Sequence, residues 1–117
     1  MTPSFVGELT RGERLELSRR RAAITQSQAA HALRVSVDRL RRWERDLAGD
    51  GAPLALDAAS ELRPHERCWL ARRRADCTMR SVSAALALSL TWVHRAETGA
   101  LGADRIGALL AFWGLAS

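Results

Sequence analysis

Leu9–Gly49 and Leu62–Gly102 are one segment written twice, offset by 53 residues with no gap. Arg19-Arg20-Arg21-Ala22 falls on Arg72-Arg73-Arg74-Ala75, Thr25 on Thr78, Ala32-Leu33 on Ala85-Leu86 and Ser36 on Ser89. Arg42-x-Glu44 falls on Arg95-x-Glu97, and Glu13-Arg14 and Leu17 fall on Glu66-Arg67 and Leu70. Further pairs swap like for like, among them Val35/Leu88, Val37/Leu90 and Leu40/Val93. Self-similarity at a fixed period marks a duplicated structural unit. A unit of about 50 residues buries only a marginal core on its own. The repeat therefore predicts two small units, residues 1–61 and 62–117, packed together, because Leu62-Arg63 is too short for a flexible linker.

Charge narrows the partners. The 117-residue chain carries a net charge of +5, and all 18 of its basic residues are arginine. Its sequence pI is 11.1. The planar guanidinium suits bidentate recognition of phosphates and base edges. Codon usage in a GC-rich genome produces the same preference for arginine, but it does not explain where the arginines cluster. No stretch approaches the roughly 20 apolar residues that span a bilayer. The opening Met1–Glu8 lacks the basic and apolar regions of a secretion signal. Cys68 and Cys77 stand where the first copy has Leu15 and Ile24. They read as buried thiols in apolar slots, not as a disulfide or metal pair. A cytoplasmic protein with no membrane partner is expected.

Local signals predict an all-α chain of about four helices per unit, with no alternating strand pattern. Thr10-Arg11-Gly12-Glu13 has capping-box spacing and opens a helix to about Ala22. Thr25 caps a helix over Gln26–Leu33, and Ser36 caps another over Val37–Arg45. Asp46–Ala52 reads as a loop. Pro53 suits the first turn of a fourth helix to about Ser60. The second copy repeats the plan, with Pro64 to about Ala75, then helices capped by Thr78 and Ser89. Gly99 reads as a helix C-terminal glycine. Asp104 is expected to cap a last helix ending near Trp113.

Two short helices joined by a tight turn, the second one basic, form the arrangement that sends its second helix into the major groove. Ile24–Arg45, with Thr25-Gln26, Ala29, Val35-Ser36 and Trp43-Glu44-Arg45, resembles the Cro/C1-type (XRE) helix-turn-helix family. The resemblance implies two tandem helix-turn-helix units and binding to double-stranded DNA. It implies that Gln26 and Gln28 lie at the DNA, with Gln26 on a phosphate. Ser36 caps the reading helix, and Val37, Asp38, Arg41 and Arg42 point at base edges with Arg39 and Arg45 flanking on the backbone. It also implies structural ion pairs of Arg19 with Glu44 and of Arg72 with Glu97.

The chain departs from the family pattern in four places. Arg34 and Ala87 occupy the turn position usually held by glycine, and Asp46 replaces the glycine expected after the third helix. In the second copy Met79 replaces Gln26, and Ala96 replaces Trp43. Charge separates the copies further. Arg34–Arg45 holds five arginines against Asp38 and Glu44, whereas Ala87–Thr98 holds only Arg95 against Glu97. Because phosphate affinity scales with basic contacts, the first copy is the better expected DNA reader.

Two uses of the second copy stay open. It either adds DNA contacts through Arg80, Ser89, Thr91, Trp92 and Arg95, or presents Leu90, Trp92 and Trp69 as an apolar patch for a protein partner or a second subunit. Trp92 folded back on the Trp113 helix is a third placement. The arginine triplets read equally as solvated helix surface. His31, His65 and His94 stand singly and read as surface imidazoles, not metal ligands. No catalytic spacing or glycine-rich phosphate loop occurs, so neither an enzyme nor a cofactor is expected. The reading is a small sequence-specific regulator, a phage, plasmid or mobile-element type of repressor acting by promoter occlusion. A homodimer is compatible with it. The competing reading is a protein-interaction module, an antiactivator or antitoxin built on a degenerate helix-turn-helix pair.

Overall fold

Hydroxyl caps at the expected positions start most of the helices. In this computed structural model, which describes residues 9–48, 51–53 and 61–115, the Glu13 amide donates to the Thr10 hydroxyl and the Thr10 amide donates to the Glu13 carboxylate. That reciprocal pair opens α1, Arg11–Arg21. Thr25 and Gln28 make the same box for α2, Gln26–Leu33, and Ser36 accepts from the Arg39 amide to open α3, Val37–Glu44. Each such cap stabilises its helix by about 1 kcal/mol.

In the second copy α4, Pro64–Arg74, starts with proline, and Glu66 accepts from the Arg63 amide. Thr78 caps α5, Met79–Leu86, and Ser89 caps α6, Leu90–Thr98. Asp104 does not cap the last helix. It lies within a single 3-10 turn, Ala103–Arg105, closed by the Arg105 amide on the Gly102 carbonyl. The chain then bends at Ile106, which is completely buried, before α7, Gly107–Phe112. Burying Ile106 outweighs continuing one regular helix from Asp104. The described residues are thus all helical and contain no strand. The fourth helix expected in the first copy, from Pro53 to Ser60, falls almost wholly outside them.

The helix ends repeat as faithfully as the starts. The seven α-helices among the described residues all close with the amide of one residue bonded to a carbonyl five residues back, from Ile24 on Arg19 through Leu115 on Leu110. That closure places one residue in the left-handed region. The positions recur in both copies as Ala23/Asp76, Arg34/Ala87 and Asp46/Gly99. Arg34 and Ala87 accept φ values of +60° and +54°. The turn keeps its shape without glycine, at a cost of about 1 kcal/mol per residue.

The chain divides into two compact units, one within Gly7–Ser60 and one within Glu61–Ser117. In the first, α1 and α2 both pack on α3. Leu15, Ala29, Ala30, Leu40 and Trp43 form its core, with Ile24, Val35 and Val37 packed at the margin. In the second, α4 and α5 pack on α6, and α7 packs on α4 and α5. Its core joins Cys68, Val82, Val93 and Ala96 to Ile106, Leu109 and Trp113. Ala96 leaves room where the first copy has Trp43, and α7 brings its own large side chains to this core.

Cys68 is completely buried, whereas Cys77 is only half-buried and packs against the same core. Trp69 is 2% exposed and belongs to no surface patch, and Trp92 is half-buried against the core that contains Trp113. The apolar face expected from Leu90, Trp92 and Trp69 together is therefore not formed. His65 is not a surface imidazole either, because it is half-buried against Gly99. Among the described residues no helix is long and apolar enough to cross a membrane.

Candidate nucleic-acid interface

Glu44, the last residue of α3, is 2% exposed and anchors a line of polar side chains that reaches the surface. Arg19 Nε donates to Glu44 Oε2 at 2.8 Å and its Nη2 donates to Oε1 at 3.2 Å. Arg19 Nη1 also donates to the Ile24 carbonyl at 3.1 Å, fastening the turn that leads into α2. Gln26 Nε2 adds a third bond to Glu44 at 3.1 Å. Gln26 Oε1 in turn accepts from Arg41 Nε at 3.3 Å. A buried carboxylate tolerates burial only with such partners. Here they tie α1, α2 and α3 together.

The second unit keeps the first half of this arrangement. Arg72 Nε donates to Glu97 Oε2 at 2.7 Å and to Oε1 at 3.0 Å, and its Nη1 donates to the Cys77 carbonyl at 3.1 Å. The extension to the surface is gone, because Met79 and His94 stand at the positions of Gln26 and Arg41. The two arginine triplets thus divide: Arg19 and Arg72 are internal, and Arg21 and Arg74 are exposed.

On the outer face of α3, Asp38, Arg39, Arg41, Arg42 and Arg45 are all exposed. Arg39, Arg41 and Arg42 each have a different contact. Arg39 lies over the Trp43 ring, with its guanidinium carbon 5.2 Å from the centroid. Arg42 Nε sits 3.3 Å from Asp38 Oδ2, one helical turn back. That pair is well exposed, and exposed pairs of this spacing contribute only about 0.3–0.5 kcal/mol, so it opens readily for a stronger partner. Arg41 is steered by Gln26. Positive charge on α3 is therefore presented at three positions with different contacts.

Other residues expected at the interface have local work to do. Gln28 closes the capping box of α2 with its carbonyl oxygen, leaving its amide nitrogen outward. Gln26 spends one amide N–H on Glu44 and keeps the second. Ser36 is occupied as the cap of α3, with its hydroxyl hydrogen still able to donate. Val37 is half-buried against the core and offers only part of its side chain. In the second unit Arg80, Thr91 and Arg95 are exposed, and Ser89 caps α6.

Sequence reasoning missed Arg105. Arg105 lines one open cleft with Ser89, Thr91, Trp92, Arg95 and Leu101. It lies beyond α6, on the 3-10 turn that follows, and no spacing rule links it to Arg95. No protein-family model matches this chain, and no match is found among curated proteins or solved structures.

Proposed function

We propose that this chain is a sequence-specific DNA-binding regulator made of two tandem helix-turn-helix units of the Cro/C1 (XRE) type, with α3 as its main reading helix. The observation that carries the reading is the polar line from Glu44 through Gln26 to Arg41, beside exposed Arg39, Arg42 and Arg45. Preorganised guanidiniums lose less entropy on binding than free ones. Arginine to guanine O6 and N7 is the commonest specific base contact. Arg41 and Arg42 are the base readers, and Arg39 and Arg45 contact the phosphates beside them. The second N–H of Gln26 and the Ser36 hydroxyl add neutral phosphate contacts. Occupying a promoter suffices to block it, so the protein acts as a repressor of the phage, plasmid or mobile-element type in a bacterial cytoplasm. The buried position of Trp69 removes much of the apolar patch that a protein-interaction module would use.

The test is Arg42→Ala, measured by fluorescence anisotropy on a duplex that wild-type protein prefers and on its scrambled counterpart. Binding to the preferred duplex weakens by about 1–3 kcal/mol and the gap between the two duplexes narrows. An unchanged gap removes Arg42 from base reading.

A further inference from the structure

The second unit has too few basic residues on α6 to hold nucleic acid by that helix alone. Arg95 is the only arginine there, and the one carboxylate of α6, Glu97, is buried and paired with Arg72. A second guanidinium arrives from outside the helix. Arg105, on the 3-10 turn after α6, lines the same open cleft of about 530 Å3 as Arg95. Half-buried Trp92 and Leu101 and the hydroxyl-bearing Ser89 and Thr91 complete the lining. Among the described residues, neither the Arg95 nor the Arg105 guanidinium is engaged in an ion pair or side-chain hydrogen bond. Two like charges share a cleft whose lining holds no carboxylate.

We infer that the second unit clamps a backbone phosphate of duplex DNA between Arg95 and Arg105. The chemistry of the cleft selects that ligand. Two guanidiniums offer forked donors that match phosphate oxygens. The Thr91 hydroxyl and the hydrogen of the Ser89 hydroxyl, whose oxygen already accepts from the Trp92 amide, add neutral donors. The indole and Leu101 exclude water from one side, which strengthens the charge interaction. The cleft is open to solvent on one side, as suits one phosphate of a continuous backbone. A phosphate held by Arg95 and Arg105 carries no base preference. The second unit therefore adds affinity without adding sequence information.

This inference rests on the proposed DNA binding, and the test separates the two. Binding of full-length protein to a long duplex is measured across a salt series. Wild type, Arg95→Ala/Arg105→Ala, Arg95→Lys/Arg105→Lys and Arg63→Ala are compared, with helical content checked by circular dichroism. Arg63 is exposed, lies in the same unit and is outside the cleft. Each phosphate neutralised contributes about 0.9 to the slope of log affinity against log salt. The double alanine variant is expected to lose about 1 from that slope. The double lysine variant and Arg63→Ala are expected to keep it, and base preference stays unchanged throughout. Wild-type binding with an unaltered slope in the double alanine variant overturns the clamp and leaves α3 as reader. Failure of wild type to bind any duplex overturns both.

Discussion

Asp46, on the loop after α3, holds the first turn of α1: its Oδ1 accepts from the Gly12 amide at 2.9 Å. Its Oδ2 accepts from the Thr10 hydroxyl at 2.6 Å. The loop and helix approach so closely that a Cβ on Gly12 would lie 2.5 Å from the Trp43 carbonyl oxygen. In the second unit the sizes are exchanged. His65 stands at the position of Gly12 and Gly99 at that of Asp46, and a Cβ on Gly99 would meet His65 Cε1 at 2.9 Å. Each repeat makes the same close approach with a small residue on opposite sides.

Asp46→Ala is expected to destabilise the first unit by about 2–3 kcal/mol, through loss of two bonds to a carboxylate at a helix N-terminus. Asp46→Asn retains an acceptor for the Gly12 amide and should lose about half as much. Gly12→His alone is expected to destabilise the unit strongly, because its Cβ would crowd the Trp43 and Glu44 carbonyls and Asp46. Paired with Asp46→Gly it should recover at least about 1 kcal/mol relative to the sum of the single changes. Urea denaturation of these variants and of Asp46→Gly alone checks this; strict additivity would show that the two positions are not coupled.

Glu44 and Glu97 are each held by an arginine and are at most 2% exposed. Glu44→Ala should cost about 3 kcal/mol or more by leaving the Arg19 guanidinium without its partner, and Glu97→Ala should cost the second unit a similar amount. Replacing both partners, Arg19→Met/Glu44→Met, should restore most of the stability. That variant still loses the acceptor for Gln26 and so frees Arg41, and a refolded protein with degraded base preference is the expected combination. Thermal melts and duplex competition read the two effects separately.

Burial pushes the Cys68 thiol from its ordinary value of 9.0 up to about 12, with Glu97 adding to the rise and Arg67 opposing it. The folded state keeps this proton where the unfolded state has lost it. The contribution is therefore fully present below pH 9 and declines between about pH 9 and 12, by roughly 1.4 kcal/mol per pH unit. Cys68→Val removes that decline, so its stability difference from wild type should change steadily over the window. A constant difference would contradict the assignment. At pH 8, half-buried Cys77 should react with a thiol reagent well before Cys68.

Helix starts were legible because Thr10, Thr25, Ser36, Thr78 and Ser89 act on amides three residues away, within reach of local sequence. Pairing of Arg19 with Glu44 came from family resemblance and is visible twice, since both partners recur in both copies. The rest depends on residues far apart in the chain. Asp46 read as a substitute for glycine, and its bond to Gly12 spans 34 residues. Gln26 read as a phosphate contact, and its bonds to Glu44 and Arg41, 18 and 15 residues away, had no signal in the sequence. The burial of Trp69, offered by the sequence as part of one possible apolar patch, had no local signal on its helix. Arg105 went unnoticed for the same reason, being joined to Arg95 by a turn whose geometry no spacing reveals.

Selection from a random duplex pool tests the reading role of α3 most directly, with wild type and Arg41→Ala/Arg42→Ala run in parallel. The account predicts that wild type enriches a short motif containing guanines and that the variant, still folded and still bound to DNA at low salt, loses that motif. Enrichment of the same motif by both proteins, or of none by wild type, would contradict it.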